Sequence, residues 1–286
     1  KKLNPRYLTM IIPSRWFSGG KGLDDFREEM LNDKRISKIF DFPNSSDCFP
    51  GVEIKGGVCY FLWERDYSGE CEITNIDNDK KNTIKRPLLE KNLNFFIRYN
   101  QSISIIRKVS EFNENKFNHL VSSRKCYGFP TNFRGKKKNE KNKTKIYQNG
   151  GYSYISEKNV EVGRKNIQKH KIFITKAYGA GESFPHQILN NPFYGEVNSV
   201  CTETYIEIGP FKSKQVCENV ISYIKTKFFR FMVLMIKNTQ DATRGVYRLV
   251  PIQDFETKID DKFLFKKYKL TENEIKFIDT MIRPME

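Results

Sequence analysis

The sequence lacks any hydrophobic run long enough to span a membrane. Its most apolar stretch, residues 228–236, is interrupted by Arg230 and followed by Lys237, whereas a transmembrane helix needs about 18 or more apolar residues. Residues 1–5 are basic but are not followed by the apolar segment of a signal peptide, and the chain does not begin with Met. We therefore expect a cytoplasmic protein without a membrane partner, whose N-terminus is a cut within a longer chain.

Cysteine and histidine are few and scattered. The six cysteines form no Cys-x-x-Cys pair, and the three histidines lack the spacing of metal ligands. Cys59 lies in an apolar run that is typical of a protein core. We expect reduced thiols, with no disulfide, no zinc site and no chemistry at His119, His170 or His186.

Acidic residues are outnumbered by basic ones. The chain has 50 Lys and Arg against 34 Asp and Glu, which gives a formal net charge of +16. Such an excess favours a polyanionic partner, bound with an affinity that falls as salt is raised. Charge alone leaves two alternatives open: an RNA partner instead of duplex DNA, and a Lys- and Asn-rich bias that an AT-rich genome produces without nucleic-acid binding.

The first 65 residues predict strands that alternate with a helix. Residues 7–12 form an apolar strand stopped by Pro13, and residues 36–42 and 57–63 are two further strands. Leu23, Phe26, Met30 and Leu31 have helical spacing and predict an amphipathic helix between them. Three strands are too few to form a stable sheet alone, so we expect the edge of a larger α/β sheet.

The rest of the chain predicts a second domain of mixed helices and strands. The polar segment 66–94 is predicted to be a loop, with a domain boundary near residue 85. The predicted elements beyond it are a helix over 99–109, strands between 117 and 208, a charged loop over 134–145, a long helix over 214–236 and a last helix begun by a capping box of Thr271 and Glu274.

Motifs at both ends of the chain resemble one family. The N-terminal motifs are Ile11-Ile12-Pro13-Ser14-Arg15-Trp16-Phe17, Gly20-Lys21-Gly22-Leu23, Phe26-Arg27, Phe49-Pro50-Gly51-Val52 and Phe61-Leu62-Trp63. They resemble the closing half of the adenine-N6 DNA methyltransferase domain of single-chain type II restriction-modification enzymes. The C-terminal motifs, Cys201-Thr202-Glu203-Thr204-Tyr205, Gly209-Pro210-Phe211, residues 225–231 and residues 250–255, resemble the target-recognition domain of the same enzymes.

The resemblance implies a fold, a partner and a cofactor. Residues 1–85 would be an α/β segment, the last strands of a Rossmann-like methyltransferase sheet, and residues 86–286 an α+β domain that recognises a sequence in double-stranded DNA. The whole enzyme would use S-adenosylmethionine, and Mg²⁺ only if a nuclease is fused to it. The cofactor loop and the catalytic Asn-Pro-Pro-Tyr motif would lie upstream of Lys1, so we expect this chain to bind DNA without methylating it and to contain no catalytic, cofactor-binding or metal residues.

Two segments imitate the upstream motifs. Residues 177–181, Ala-Tyr-Gly-Ala-Gly, resemble the cofactor loop, and residues 191–194, Asn-Pro-Phe-Tyr, resemble the catalytic tetrapeptide. Only nine residues separate Gly181 from Asn191, whereas the crossover between two parallel strands takes about a dozen or more. We therefore interpret the first segment as a glycine turn that is either structural or close to DNA, and the second as unrelated to catalysis.

A third segment resembles a metal-dependent nuclease. Glu53-Ile54-Lys55, with Asp41 or Asp47 upstream, has the residue types that bind Mg²⁺ and position a water. The tripeptide is common by chance, and we favour a structural role in the loop and strand that follow Phe49. A non-catalytic DNA-specificity subunit is the other alternative, and parallel strands in residues 7–65 would favour the enzyme over it.

Several basic and amide residues, some beside aromatic ones, are the predicted DNA contacts. Arg pairs with guanine, and Asn or Gln with adenine, so Arg124, Asn132, Gln240 and Arg244 are the predicted contacts to base edges. The run around residue 137 is interpreted as a mobile loop that orders on the DNA backbone. The remaining predicted DNA contacts are Lys125, Arg134, Lys136, Lys137, Lys138, Lys176, Tyr178 and Arg248.

Overall fold

The computed structural model describes residues 3–19, 22–77, 80–179, 183–237 and 239–285. The chain divides into two compact units, Lys1–Arg107 with Met235–Thr239 and Lys108–Leu234 with Gln240–Glu286. Among the described residues, no helix combines the length and the apolar character needed to cross a membrane.

The first unit is built on one five-stranded sheet. Strand order across the sheet is β1-β3-β2-β4-β5. The elements are β1 (Tyr7–Pro13), α1 (Asp24–Asn32), β2 (Ile36–Phe42), β3 (Val58–Glu64), β4 (Cys71–Asp77), β5 (Lys80–Arg86) and the first residues of α2 (Ile103–Glu111).

The directions of the strands make this sheet mixed. β3 is antiparallel to both β1 and β2, so β1 and β2 run the same way and are connected by α1, with β3 inserted between them. β4 is parallel to β2, and β5 is antiparallel to β4. The predicted strand-helix-strand crossover is present as β1-α1-β2. The three strands in residues 7–65 are not all parallel, however, and parallel strands were the feature expected to favour the enzyme over a specificity subunit.

The predicted loop over 66–94 is wrong, because β4 and β5 both lie within it. β4 buries Ile73 and Ile76, whereas β5 is an edge strand rich in Lys, a composition that protects an edge and imitates a loop in sequence. The first unit also continues past residue 85, because the Asn100 side chain donates to the backbone oxygen of Ile73 at 2.8 Å and Arg86 donates to Asn100 at 3.1 Å.

Helix α1 lies where the sequence predicts it, but not all of its apolar residues are buried. Trp16, Met30 and Leu31 belong to the core of the first unit. Phe26 is 39% exposed, and its ring stands edge-on to Trp16 with the ring centroids 5.9 Å apart. Phe26 therefore covers the core instead of filling it.

The second unit contains two small sheets and most of the helices. The sheet orders are β10-β6-β7 and β11-β8-β9, and the only parallel pair among the described strands of this unit is β10 with β6. The elements are β6 (Thr144–Gln148), β7 (Gly151–Ile155), β8 (His170–Thr175), β9 (Phe193–Gly195), β10 (Ser199–Cys201), β11 (Tyr205–Phe211), α3 (Lys214–Lys225), α4 (Lys227–Leu234), α5 (Asp261–Lys267) and α6 (Glu272–Met281).

The long helix predicted over 214–236 is two helices, α3 and α4. Thr226 has ψ near 150°, which ends α3, and its hydroxyl then accepts a hydrogen bond from the amide of Phe229 at 3.1 Å. Asp261 accepts from the amides of Lys227 and Phe228, and buried Arg230 donates to the last carbonyl oxygens of α3. These caps satisfy both helix ends without interrupting the apolar periodicity.

The last helix confirms its predicted start. Thr271 and Glu274 form both hydrogen bonds of a capping box at the beginning of α6. Ile278 and Ile282 are fully buried, whereas Ile275 is partly exposed.

Candidate DNA-binding surface

Three predicted DNA-contacting residues meet at one carboxylate. Glu203 lies in the short link between β10 and β11, and its carboxylate accepts from the Arg124 guanidinium at 2.7 and 2.9 Å. The ammonium of Lys176 is 3.4 Å away and that of Lys125 is 4.0 Å away. We call Arg124, Lys125, Lys176 and Glu203 the Glu203 cluster.

The electrostatics of the Glu203 cluster favour an ionised carboxylate. Desolvation alone would raise the pKa of Glu203, but the hydrogen bond from Arg124 and the charge of Lys176 outweigh it, so the pKa lies below its ordinary value. The cluster therefore carries one negative and three positive charges. Arg124 is fixed by the carboxylate while much of its side chain remains exposed.

Tyr178 and Gln240 lie beside the Glu203 cluster. The amide of Tyr178 donates to the backbone oxygen of Gln240 at 2.8 Å, and the amide of Ala242 donates to that of Lys176 at 2.7 Å. This short pairing brings together residues that are 62 positions apart in sequence. The Tyr178 hydroxyl accepts from Arg283 at 3.3 Å.

A second basic group lies along the β6–β7 hairpin. Lys136 exchanges two backbone hydrogen bonds with Tyr154 of β7, at 2.8 and 2.9 Å, so the lysine run is attached to the sheet at its first residue and is not wholly the mobile loop that the sequence predicts. Lys137 and Lys138 follow and are exposed. The Arg134 guanidinium donates to the backbone oxygens of Thr131 and Phe133.

The remaining predicted contacts lie outside these two groups. Arg244 is exposed and donates through Nε to the backbone oxygen of Asn118 at 3.0 Å. Asn132 is exposed, and Arg248 is partly buried. The structure thus assembles Arg124, Lys125, Lys176, Tyr178 and Gln240 in one area and Arg134 with the lysine run in another.

The sequence analysis missed residues that organise both groups. Glu203 was noted only as part of a family motif, although its carboxylate holds Arg124 in place. Lys145 was noted only as the end of the charged loop, and Tyr152 was not noted. The two lie together on the hairpin, with the Lys145 ammonium 4.2 Å from the Tyr152 ring centroid. The alternation Tyr152-Ser153-Tyr154 in a basic segment was the available signal, since alternate residues of a strand share a face.

The segment that imitates a catalytic tetrapeptide is committed to packing. Phe193 begins β9, and its ring contacts those of Tyr147, Phe173 and Tyr205. The Tyr194 hydroxyl is 2.6 Å from Nδ1 of His170. Both aromatic side chains therefore make contacts within the protein. Of the glycine turn before it, Ala180 and Gly181 lie outside the described residues, as do Gly20 and Lys21 of the N-terminal motif.

The predicted alternative of a nuclease site is not assembled. Asp41 is completely buried, and both of its oxygens accept from the Arg98 guanidinium at 2.7 Å. Glu53 and Lys55 are exposed. Within the part of the chain that the structure describes, no group of three or more His, Cys, Asp or Glu side chains is arranged to hold a metal ion.

The described residues at one edge of the first sheet were tested for a fit to S-adenosylmethionine. In open α/β sheets ligands bind beyond the carboxyl ends of parallel strands, and β1 and β2 end together beside Val58. Ser14 and Asp41 at that edge bond to each other, and a Cβ on Gly57 would meet the backbone oxygen of Phe42 at 2.1 Å. The described polar groups there are used in packing, so these residues do not fit the cofactor.

Comparison with known proteins finds sequence similarity at the N-terminal end of the chain. Residues 1–49 match the family model of the Eco57I restriction-modification methylase. An adenine-specific methylase of Mycoplasma pneumoniae is 40% identical over 91 residues, which cover 28% of this chain and 22% of that protein. The chain therefore spans about a fifth of the length of this relative.

Two solved restriction enzymes resemble the chain at low identity. The type IIG restriction endonuclease BpuSI is 12% identical, with a TM-score of 0.33 over 93% of this chain and 42% of its own. The type IIL restriction-modification enzyme MmeI in complex with DNA is 11% identical, with a TM-score of 0.43 over 85% of this chain and 37% of its own. The predicted family resemblance is confirmed by the sequence matches, in which residues 1–49 are similar to the Eco57I restriction-modification methylase family and part of the chain is similar to an adenine-specific methylase.

Proposed function

We propose that this chain is the C-terminal part of a bacterial restriction-modification enzyme that methylates adenine N6 in a specific duplex sequence. The first unit completes the sheet of the catalytic domain, and the second unit is the target-recognition domain. The complete enzyme transfers the methyl group from S-adenosylmethionine. If a nuclease domain is fused to that complete enzyme, Mg²⁺ is the cofactor of the nuclease.

The observation that carries this proposal is the open edge of β1. Among the described strands, β1 pairs only with β3 and leaves its other edge unpaired. Tyr7, Met10 and Ile11 on this strand are large apolar residues that remain exposed. A long apolar edge strand left open promotes aggregation, so a strand of the upstream catalytic domain is the natural partner for this edge.

The second unit has the features of a DNA-recognition domain. Bases in a duplex are recognised by a few rigidly held side chains, whereas phosphate contacts need only positioned charge. Arg124, held by Glu203 with much of its surface exposed, is suited to a guanine edge. The lysines of the hairpin are suited to phosphates. Base extrusion would remain the task of the catalytic domain.

Selection from a random duplex library at near-physiological salt tests this assignment. We expect the 286-residue chain to enrich one short motif that contains adenine, and to transfer no methyl group when S-adenosylmethionine is added. Uniform retention of all duplexes, or tighter binding of duplex RNA, would contradict a DNA target-recognition domain. Methyl transfer by this chain alone would contradict the assignment of the catalytic motifs to the upstream part.

A further inference from the structure

One face of the β6–β7 hairpin is buried, and the other face is only partly covered. Ile146 and Ile155 of the hairpin are buried in the core of the second unit. Residues on the opposite face are set by the strand register, which pairs Lys145 with Tyr154 and Tyr147 with Tyr152. Cross-strand partners point to the same side of a sheet, so these four side chains share the second side, which we call the outer side. Tyr147 is partly buried there against the rings of Phe173 and Phe193, whereas Tyr152 is exposed.

Tyr152 is the most exposed member of that outer side. Tyr152 is 57% exposed, and the Lys145 ammonium lies 4.2 Å from its ring centroid. Lys145 is itself paired with Glu196 at 2.8 Å, so its charge is used within the protein. Lys145 therefore positions the Tyr152 ring and leaves the outer surface of that ring open.

The lysine run is placed against the same hairpin. Gly135 permits this approach, because a Cβ there would lie 2.3 Å from the Ser153 hydroxyl and 2.7 Å from the Tyr154 backbone oxygen. The two backbone hydrogen bonds between Lys136 and Tyr154 then fix the start of the run. The Lys138 ammonium lies 5.6 Å from the Tyr154 ring centroid.

The charge of this segment points to a polyanion. Residues 134–155 contain seven basic residues and one acidic residue, Glu140. In the described part of the structure, the ammonium groups of Lys136, Lys137 and Lys138 form no ion pair with a carboxylate, and all three residues are exposed. Their positive charges are therefore available to a partner, unlike that of Lys145.

We propose that Lys136, Lys137, Lys138, Tyr152 and Tyr154, which we call the hairpin face, lie on the sugar-phosphate backbone of duplex DNA. The three lysines contact phosphates, and the Tyr152 ring packs on deoxyribose. The inference rests on the proposed DNA-binding function and adds to it a division of tasks: the hairpin face sets the position of the duplex and carries no sequence preference, because backbone contacts are the same for every sequence.

Triple substitution of the lysines tests the phosphate contacts. The logarithm of affinity falls with the logarithm of salt concentration by about 0.9 for each phosphate contact. In the 286-residue chain, Lys136→Gln/Lys137→Gln/Lys138→Gln should lower that slope by roughly two to three. The matched control is Lys258→Gln/Lys262→Gln/Lys266→Gln, which removes the same charge from exposed lysines on and beside α5 and should leave the slope nearly unchanged.

Substitution of Tyr152 tests the ring contact separately. Tyr152→Ala should weaken binding by roughly tenfold, the scale of losing an aromatic contact to nucleic acid, and equally for the selected duplex and a scrambled one. Tyr152→Phe keeps the ring and should bind within about twofold of the unaltered chain. Phe263→Ala is the control, because Phe263 on α5 is an exposed aromatic of similar exposure, 53%.

The possible results separate this inference from the proposed function. A lower salt slope in the triple lysine variant, together with equal losses of affinity for both duplexes in Tyr152→Ala, supports the hairpin face as a backbone contact. Hairpin variants that behave like their α5 controls, while the unaltered chain still selects its motif, would overturn the inference alone. A changed sequence preference in Tyr152→Ala would also overturn it, since the ring would then contact bases. Absence of any duplex binding by the unaltered chain would overturn the proposed function and the inference together.

Discussion

Asp41 in the first unit and Glu203 in the second are both carboxylates that bind an arginine, but their arginines differ in exposure. The side chain of Asp41 is fully buried and that of Arg98 is 16% exposed. The side chain of Glu203 is 10% exposed, yet that of Arg124 is 57% exposed. The same chemical pair is closed to solvent in one unit and open on the side of the cation in the other.

The difference separates an ion pair that is closed inside the protein from one whose arginine is open to a partner. At Asp41 the remaining hydrogen bonds come from Ser14 and Asn75 inside the protein, so every partner of the carboxylate is internal. An enclosed pair of this kind matters for stability because removing one partner leaves the other charge buried and uncompensated. At Glu203 the carboxylate orients an arginine whose other N–H groups remain available, which is how a side chain is held rigidly for a partner.

The largest effect that this comparison predicts is on stability. Arg98→Ala leaves the Asp41 carboxylate buried without a compensating charge, which typically costs about 3–5 kcal/mol of unfolding free energy. Chemical denaturation of the first unit, followed by the fluorescence of Trp16 and Trp63, measures it. Arg65→Ala is the control, because its pair with Asp66 is exposed on both sides and should contribute no more than about 1 kcal/mol.

A second substitution sharpens that result. Asp41→Asn in the Arg98→Ala background removes the uncompensated charge and should restore part of the lost stability. Equal stability of the Arg98→Ala and Arg65→Ala proteins would mean that the Asp41 pair is no more structural than a surface pair.

The elements that the sequence predicted correctly are those that have a local signal in the sequence. β1, α1, β2 and β3 each have apolar spacing that indicates their type, and Thr271 with Glu274 indicates where α6 begins. β5 was missed because a lysine-rich edge strand has the composition of a loop. The break at Thr226 was missed because it depends on caps from Asp261 and Arg230, which are contacts made only in the folded chain.

The candidate site divides in the same way. Arg124 and the lysine run were predicted from residue type, since Arg and Lys are the common contacts to bases and phosphates. The roles of Glu203 and Gly135 were not predictable, because each depends on a tertiary approach between segments far apart in sequence. Sequence therefore indicated which side chains could bind DNA, and the fold indicates which of them are held in place.

A smaller effect is expected on DNA recognition. Glu203→Gln raises the net charge by one, so binding of unrelated duplexes should strengthen slightly. Arg124 loses its anchor, however, and a guanine contact contributes about 1–3 kcal/mol of discrimination, so binding of the selected duplex should weaken by roughly tenfold. Titrating a selected and a scrambled duplex with the same protein measures these two opposite changes in affinity.

Glu218→Gln is the matched control for the recognition experiment. Glu218 is exposed and pairs with Lys214 within α3, so its substitution changes the charge equally without altering the Glu203 cluster. We expect both duplexes to bind this variant slightly more tightly. If Glu203→Gln behaves in the same way, the open pair has no part in recognition and only its charge matters.

The smallest expected effect is a pH dependence of stability from Glu203. Its pKa in the folded protein is lower than usual, because Arg124 and Lys176 outweigh desolvation, so folding favours the ionised form. This stabilisation is fully present above the unfolded pKa of about 4.3 and declines as pH falls through the lower folded value. The exposure of Arg124 lets solvent screen the pair, so the contribution to stability is small.

Denaturation midpoints of the second unit at pH 5 and pH 3.5 measure this contribution. Subtracting the change that Glu203→Gln shows between the same two pH values removes the contributions of other carboxylates. An identical pH dependence in the two proteins would show that the open pair adds nothing to folding, and its role in holding Arg124 would then have to appear in DNA binding alone.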